Sequence, residues 1–90
     1  MLNTNRYEEL KNMLDNDNIV VNIFVEGEEE CFMFGTYIRN YYFTINQQID
    51  KLELIIEKYD SIEEEYYIIE KRYYKTAKGA YNKIIDLIRE

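Results

Sequence analysis

The sequence predicts an α+β fold: a short N-terminal helix, a two- or three-stranded antiparallel sheet, then a C-terminal antiparallel helical hairpin, or one long helix, held by heptad packing. Three observations predict it. Residues 4–15 put Tyr7, Leu10, Met13 and Leu14 on one helical face. Residues 19–25 and 31–38 alternate apolar side chains on either side of a Glu-rich turn that contains Gly27. Over residues 45–87, Ile45, Leu52, Tyr59, Tyr66, Tyr73, Ala80 and Leu87 recur at every seventh position, with no charged residue among them. A second series lies four residues further on at Ile49, Ile56, Ala77 and Ile84, and three further on at Ile62 and Ile69. That spacing keeps an apolar stripe on one side of a helix, as in coiled coils.

Taken in order, Asn3, Thr4 or Asn5 supplies a cap for the first helix, and Asp15-Asn16-Asp17-Asn18 stops it, because Asn tolerates the left-handed turn a helix end needs. In the first strand, Ile19, Val21, Ile23 and Val25 share one face while Val20, Asn22 and Phe24 share the other. Glu26-Gly27-Glu28-Glu29-Glu30 is the hairpin connection to the second strand, residues 31–38, where Gly35 marks a bulge or a close backbone approach. Arg39-Asn40 then makes a tight turn into a third strand at residues 41–44, or residues 36–44 are already helical; both readings stay open.

Thr44 caps the heptad segment. Ser61 and Glu64 have capping-box spacing, and Glu63, Glu64 and Glu65 put acids in a first turn, so a break at Asp60-Ser61 and a helical hairpin are favoured. The bases Lys71, Arg72, Lys75, Lys78 and Lys83 then lie toward the helix C-terminus. With no Gly or Pro at the junction, a single helix of roughly 65 Å is the other reading. Gly79 marks a close contact or a kink.

Composition narrows the function. Ninety residues make one domain, 1–90, and 47% apolar residues are enough for a folded chain. Helices with one apolar stripe bury little area alone, so a homodimer is expected. A net charge of -7, from 18 acidic and 11 basic side chains, disfavours attraction to nucleic acid or an anionic membrane and favours a basic protein surface as partner. No run approaches the roughly 18 apolar residues of a membrane span. The first ten residues lack the basic-then-apolar pattern of a secretory signal, and a lone cysteine fits a reducing cytosol. No Pro, three Gly and an abundance of Asn, Ile, Lys, Glu and Tyr suggest an A+T-rich coding sequence, a hint at a low-G+C bacterium or its phage; the expected compartment is the cytoplasm of a bacterial host.

Catalysis is not expected. Histidine is absent, no Ser or Cys has a base nearby in sequence, and no phosphate loop, CxxC pair or metal-ligand spacing occurs, so no cofactor and no metal are expected. Cys31, beside Phe32 and Met33, reads as a core thiol. The candidate residues are therefore those of an interface. Glu26, Glu28, Glu29 and Glu30 form one acidic cluster; Glu57, Asp60, Glu63, Glu64 and Glu65 form another. The plain reading is a solvated turn and a helix start. The sharper one is a carboxylate array that imitates nucleic-acid phosphates in the basic groove of another protein. Ten tyrosines include the doublets Tyr66-Tyr67 and Tyr73-Tyr74, with Tyr81 continuing the series. They widen a packing stripe or form a partner or dimer interface. Lys71, Lys75 and Lys78 share a helical face with tyrosines between them, but at this net charge salt pairing is the preferred reading over phosphate binding.

The run Ile55-Ile56-Glu57-Lys58-Tyr59 through Ile68-Ile69-Glu70-Lys71-Arg72-Tyr73-Tyr74 resembles the linker before the helix-turn-helix of phage late-transcription regulators and sigma-like factors. That resemblance covers about 20 residues, and the DNA-reading helices that should follow are missing. It implies a regulatory or coiled-coil dimerisation module of a phage. In size, acidity and composition the whole chain is similar to small phage-encoded inhibitors of bacterial defence, anti-CRISPR proteins among them. This is a resemblance of type, since those inhibitors share no motif. It implies a non-enzymatic inhibitor that blocks a nucleic-acid-binding defence effector.

Overall fold

In the computed structural model, which describes residues 5–19, 22–24 and 32–89, two helices enclose a strand meander in sequence. The order is α1 (Asn5–Asn16), β1 (Asn22–Phe24), β2 (Phe32–Ile38), β3 (Tyr41–Gln47), β4 (Leu52–Asp60), β5 (Glu65–Tyr74) and α2 (Ala77–Ile88). The strands form one antiparallel sheet in the order β1-β2-β3-β4-β5, so every strand pairs with its neighbour in sequence. Both helices lie on one face and touch each other, α1 against β3 and α2 against β4 and β5.

The α+β class stands, but its second half does not: residues 45–74 form the end of β3, then β4 and β5, rather than a helical hairpin or a long heptad helix. Period two overrides period seven here. Phe43, Ile45, Leu52, Leu54 and Ile56 are fully buried, each two residues from the next within its strand, and they point at the helices. The segment is rich in Ile and Tyr, whose stiff or bulky side chains fit a pleated sheet better than a helix. Because seven is odd, heptad positions within a regular strand alternate between faces; they stay in phase only where a turn or a bulge intervenes. The seam that would have zipped two helices is therefore absent, and the stretch likened to a regulator's linker is the β4–β5 hairpin.

Turn chemistry explains the breaks. Asp60, read as the end of a helix, accepts hydrogen bonds from the amides of Ile62 (2.8 Å) and Glu63 (3.3 Å). Together with Glu64 at φ 56° this closes the four-residue turn between β4 and β5. Ser61 and Glu64 thus serve a hairpin, not a capping box. Arg39 and Asn40 do form the tight turn, with Arg39 at φ 55°, and the third strand runs on to Gln47. Asn18 at φ 62° ends the first helix as its residue type suggests. Gly35 is a close approach and not a bulge: an added Cβ would lie 2.8 Å from Cζ of Tyr42, whose ring crosses it. The bulge is in β5, where Ile56 pairs with Glu70 and Glu57 with Ile68, leaving Ile69 as the extra residue.

The core joins Tyr7, Leu10 and Leu14 of α1 to the buried strand residues and to Ala77, Ala80 and Ile84 of α2. Each large side chain so buried is worth about 1.5–3 kcal/mol. Thr76 caps α2 by accepting from the Gly79 amide at 3.1 Å. Gln47, only 3% exposed, accepts from the Tyr7 amide at 3.1 Å and donates to the carbonyls of Gln48 and Lys51, tying the start of α1 to the β3–β4 turn. Tyr81 on α2 donates to Asp17 beyond α1, which holds its phenol above its ordinary pKa. Among the described residues no helix is long and apolar enough to cross a membrane. The strand expected over residues 19–25 lies partly outside the described residues, and Cys31 lies wholly outside them.

Candidate functional site

Alternation along β2 to β5 sends a second set of side chains to the face the helices leave open. Tyr37 of β2, Tyr42 of β3, Tyr59 of β4 and Tyr66 of β5 all stand on it, one from each strand. Their rings meet. The Tyr37 and Tyr42 centroids are 4.4 Å apart, Tyr59 and Tyr66 5.2 Å, Tyr37 and Tyr66 5.7 Å, and Tyr42 and Tyr66 6.3 Å edge-on. On a flat sheet the β2 and β5 backbones would be about 14 Å apart, so phenols leaning in from both sides close the gap above the middle strands. Such tilted and edge-on pairs each contribute about 0.5–1.5 kcal/mol beyond area burial. The cluster is nonetheless open to solvent, with Tyr37 62% and Tyr59 37% exposed. Ile68, opposite Glu57 on the same face, is 64% exposed.

Next to the tyrosines stands the second acidic cluster. Glu57, Asp60, Glu63, Glu64 and Glu65 occupy the distal end of the β4–β5 hairpin, where residues 61–65 are all exposed. The turn, not a helix N-terminus, gathers them. Exposed Ile62 sits at the tip among them. The first acidic cluster, Glu26, Glu28, Glu29 and Glu30, lies outside the described residues.

The tyrosines expected on a helical stripe (Tyr66, Tyr73) or beside it (Tyr67, Tyr74, Tyr81) are divided by the strands. Tyr66 joins the open-face cluster, while Tyr67 lies on the helix side of the sheet and is exposed beyond the helices. Tyr73 is on the open face with the Lys51 ammonium 4.6 Å from its ring centre, and Tyr74 packs toward the core. Tyr81 belongs to α2 and to the helix–helix contact. So of five named tyrosines, the sheet brings only Tyr66 into the cluster. The other three members were missed, although a signal existed: Tyr37 and Tyr42 are equidistant from the Arg39-Asn40 turn, which forces them to face each other.

Three members of the basic segment, Lys71, Arg72 and Lys83, pair with acids, but with strand carboxylates rather than the tip. Lys71 reaches Glu53 across the open face at 3.5 Å; Arg72 and Lys83 reach Glu70 at 2.8 Å and 2.9 Å on the helix side. Lys83 foremost, helped by Arg72, holds the Glu70 carboxyl below its ordinary pKa, outweighing the opposing effect of desolvation. Burial, with Glu8 adding, holds the Tyr7 phenol above its own. Among the described residues no group of three or more Cys, Asp and Glu side chains is placed to hold a metal ion. Comparison with protein families, with curated proteins and with solved structures finds no match.

Proposed function

We propose that this chain works by binding another protein through the open sheet face and the acidic hairpin tip, without catalysing a reaction. Its most concrete form is a phage or mobile-element inhibitor, acting in a bacterial host's cytoplasm, that occludes the nucleic-acid-binding surface of a defence effector. The observation that carries the reading is the gathering of Tyr37, Tyr42, Tyr59 and Tyr66 on a face that the protein's own helices leave uncovered. Tyrosine offers a large amphipathic contact area at low rotamer cost, the property that enriches it at the centres of interfaces. Beside it, five carboxylates and a single Lys58 between residues 57 and 65 supply the field that draws in a basic groove.

Competition tests this. Protein added to a defence effector carrying labelled nucleic acid is expected to release the label, and the double charge reversal Glu63→Lys and Glu64→Lys is expected to abolish release without altering circular dichroism. Failure to displace nucleic acid from any such effector, with affinity untouched by the reversal, defeats the inhibitor reading.

A further inference from the structure

Among the described residues the sheet ends at β5, ten residues long, with no strand beyond it. Long edge strands are templates for pairing with another chain, and they are normally shortened, covered or charged against it. This one exposes apolar side chains along its middle, with Tyr67 46%, Ile68 64% and Ile69 43% exposed. Its charges bracket that stretch: Glu65 at one end, and Glu70, Lys71 and Arg72 directly after Ile69.

We infer that β5 pairs antiparallel with β5 of a second copy, giving a two-fold dimer whose sheet runs on through both chains. The bulge opens a register that an unbulged strand could not use. Pairing with β4 puts Glu65, Tyr67, Glu70 and Arg72 on the helix side and Tyr66, Ile68, Lys71 and Tyr73 on the open side. In an unbulged strand, residues of opposite parity never share a face. Here Ile69 shifts the phase, so a two-fold axis between Ile68 and Ile69 sets Glu65 opposite the second copy's Arg72, Tyr66 opposite its Lys71 and Tyr67 opposite its Glu70. Each pair then lies on a single face. Opposite charges directly across strands stabilise pairing, and like charges there oppose it. Among the registers that align the faces, this one also matches the charges, twice over by symmetry, with the exposed isoleucines meeting at the axis. A homodimer expected from a helical seam is placed instead on a sheet edge. This edge shares Tyr66 with the tyrosine cluster and Glu65 with the acidic tip, but it is read by mass and the protein-binding reading by release of nucleic acid, so failure of the dimer leaves that reading intact.

The test is a charge exchange read by sedimentation equilibrium. At about 100 µM the native chain is expected at twice its 11.0 kDa mass. Glu65→Arg alone and Arg72→Glu alone each place like charges across both ends and are expected to weaken the dimer at least about tenfold. Mixed one to one, the two variants restore both opposite-charge pairs and are expected to form a heterodimer as tight as the native dimer. Ile69→Lys, with two ammonium groups at the axis and an exposed site of substitution, is expected to be a folded monomer. A monomeric native chain overturns the proposal. So does a larger assembly, since two-fold pairing of β5 closes after two copies, or variants whose mixture associates no better than either alone.

Discussion

The two halves of the β4–β5 hairpin have similar residues and opposite fates. In the proximal half, Leu52, Leu54 and Ile56 are sealed under α1 and α2. In the distal half, Tyr59, Ile62, Tyr67 and Ile68 stand in solvent. Length is the cause. Strand β5 runs about 33 Å at about 3.3 Å per residue, whereas each twelve-residue helix spans about 18 Å and covers only part of it. The bulge at Ile69 falls at the boundary and re-phases the distal residues, so Tyr66 and Ile68 emerge on the open face beside Tyr37 and Tyr42. Apolar content alone therefore does not separate core from contact surface; position along the hairpin does.

This contrast can be broken most forcefully at Ile56. Ile56→Ala is expected to cost about 2–5 kcal/mol in a urea titration, as for other buried large-to-small changes. Ile68→Ala, one pair further out across the bulge, is expected to cost no more than about 0.5 kcal/mol. Comparable losses at the two sites would mean that the distal half is core as well.

Gln47 sharpens the picture at the proximal end. Gln47→Leu keeps the volume but leaves the Tyr7 amide and the Gln48 and Lys51 carbonyls without this side chain, and is expected to cost about 1–3 kcal/mol. A neutral substitution would show that α1 is not anchored there.

The smallest effect is expected at the boundary. Glu70 has its pKa lowered on folding, first by Lys83, so its contribution is complete above the ordinary value of 4.5 and is lost as pH falls through the folded value. The native chain is then expected to lose more stability on acidification below pH 4.5 than Glu70→Gln does. Superimposable acid limbs would remove that strand-to-helix tie from the account.

What was legible in the sequence follows the same boundary. The N-terminal helix, its stop at Asn18 and the Arg39-Asn40 hairpin could be read because each depends on a few adjacent residues with one dominant conformational preference. The pairs across that hairpin, Tyr37 with Tyr42, could have been read from the same turn. The C-terminal half could not, because Leu52, Leu54 and Ile56 satisfy strand alternation over only a few residues while the heptad extends over many. A strand of nine residues gives a short signal, and a coincidental period of seven that spans turns gives a long one. The acidic tip was identified as a cluster but assigned to a helix start, since Asp60 caps a turn and a helix with the same hydrogen bonds. The tyrosine cluster depends on four strands meeting in register, information that no local window contains.

The central claim is that the open face binds and the covered face folds. Its most direct measurement is nucleic-acid release from a defence effector by the native chain and by the double variant Tyr37→Ala, Tyr66→Ala, with urea midpoints recorded on the same samples. The native chain is expected to release the nucleic acid, the variant to need at least about tenfold more protein to do so, and the two midpoints to stay close together. Equal release by both chains, or a loss of release that occurs only with a loss of folding, would contradict it.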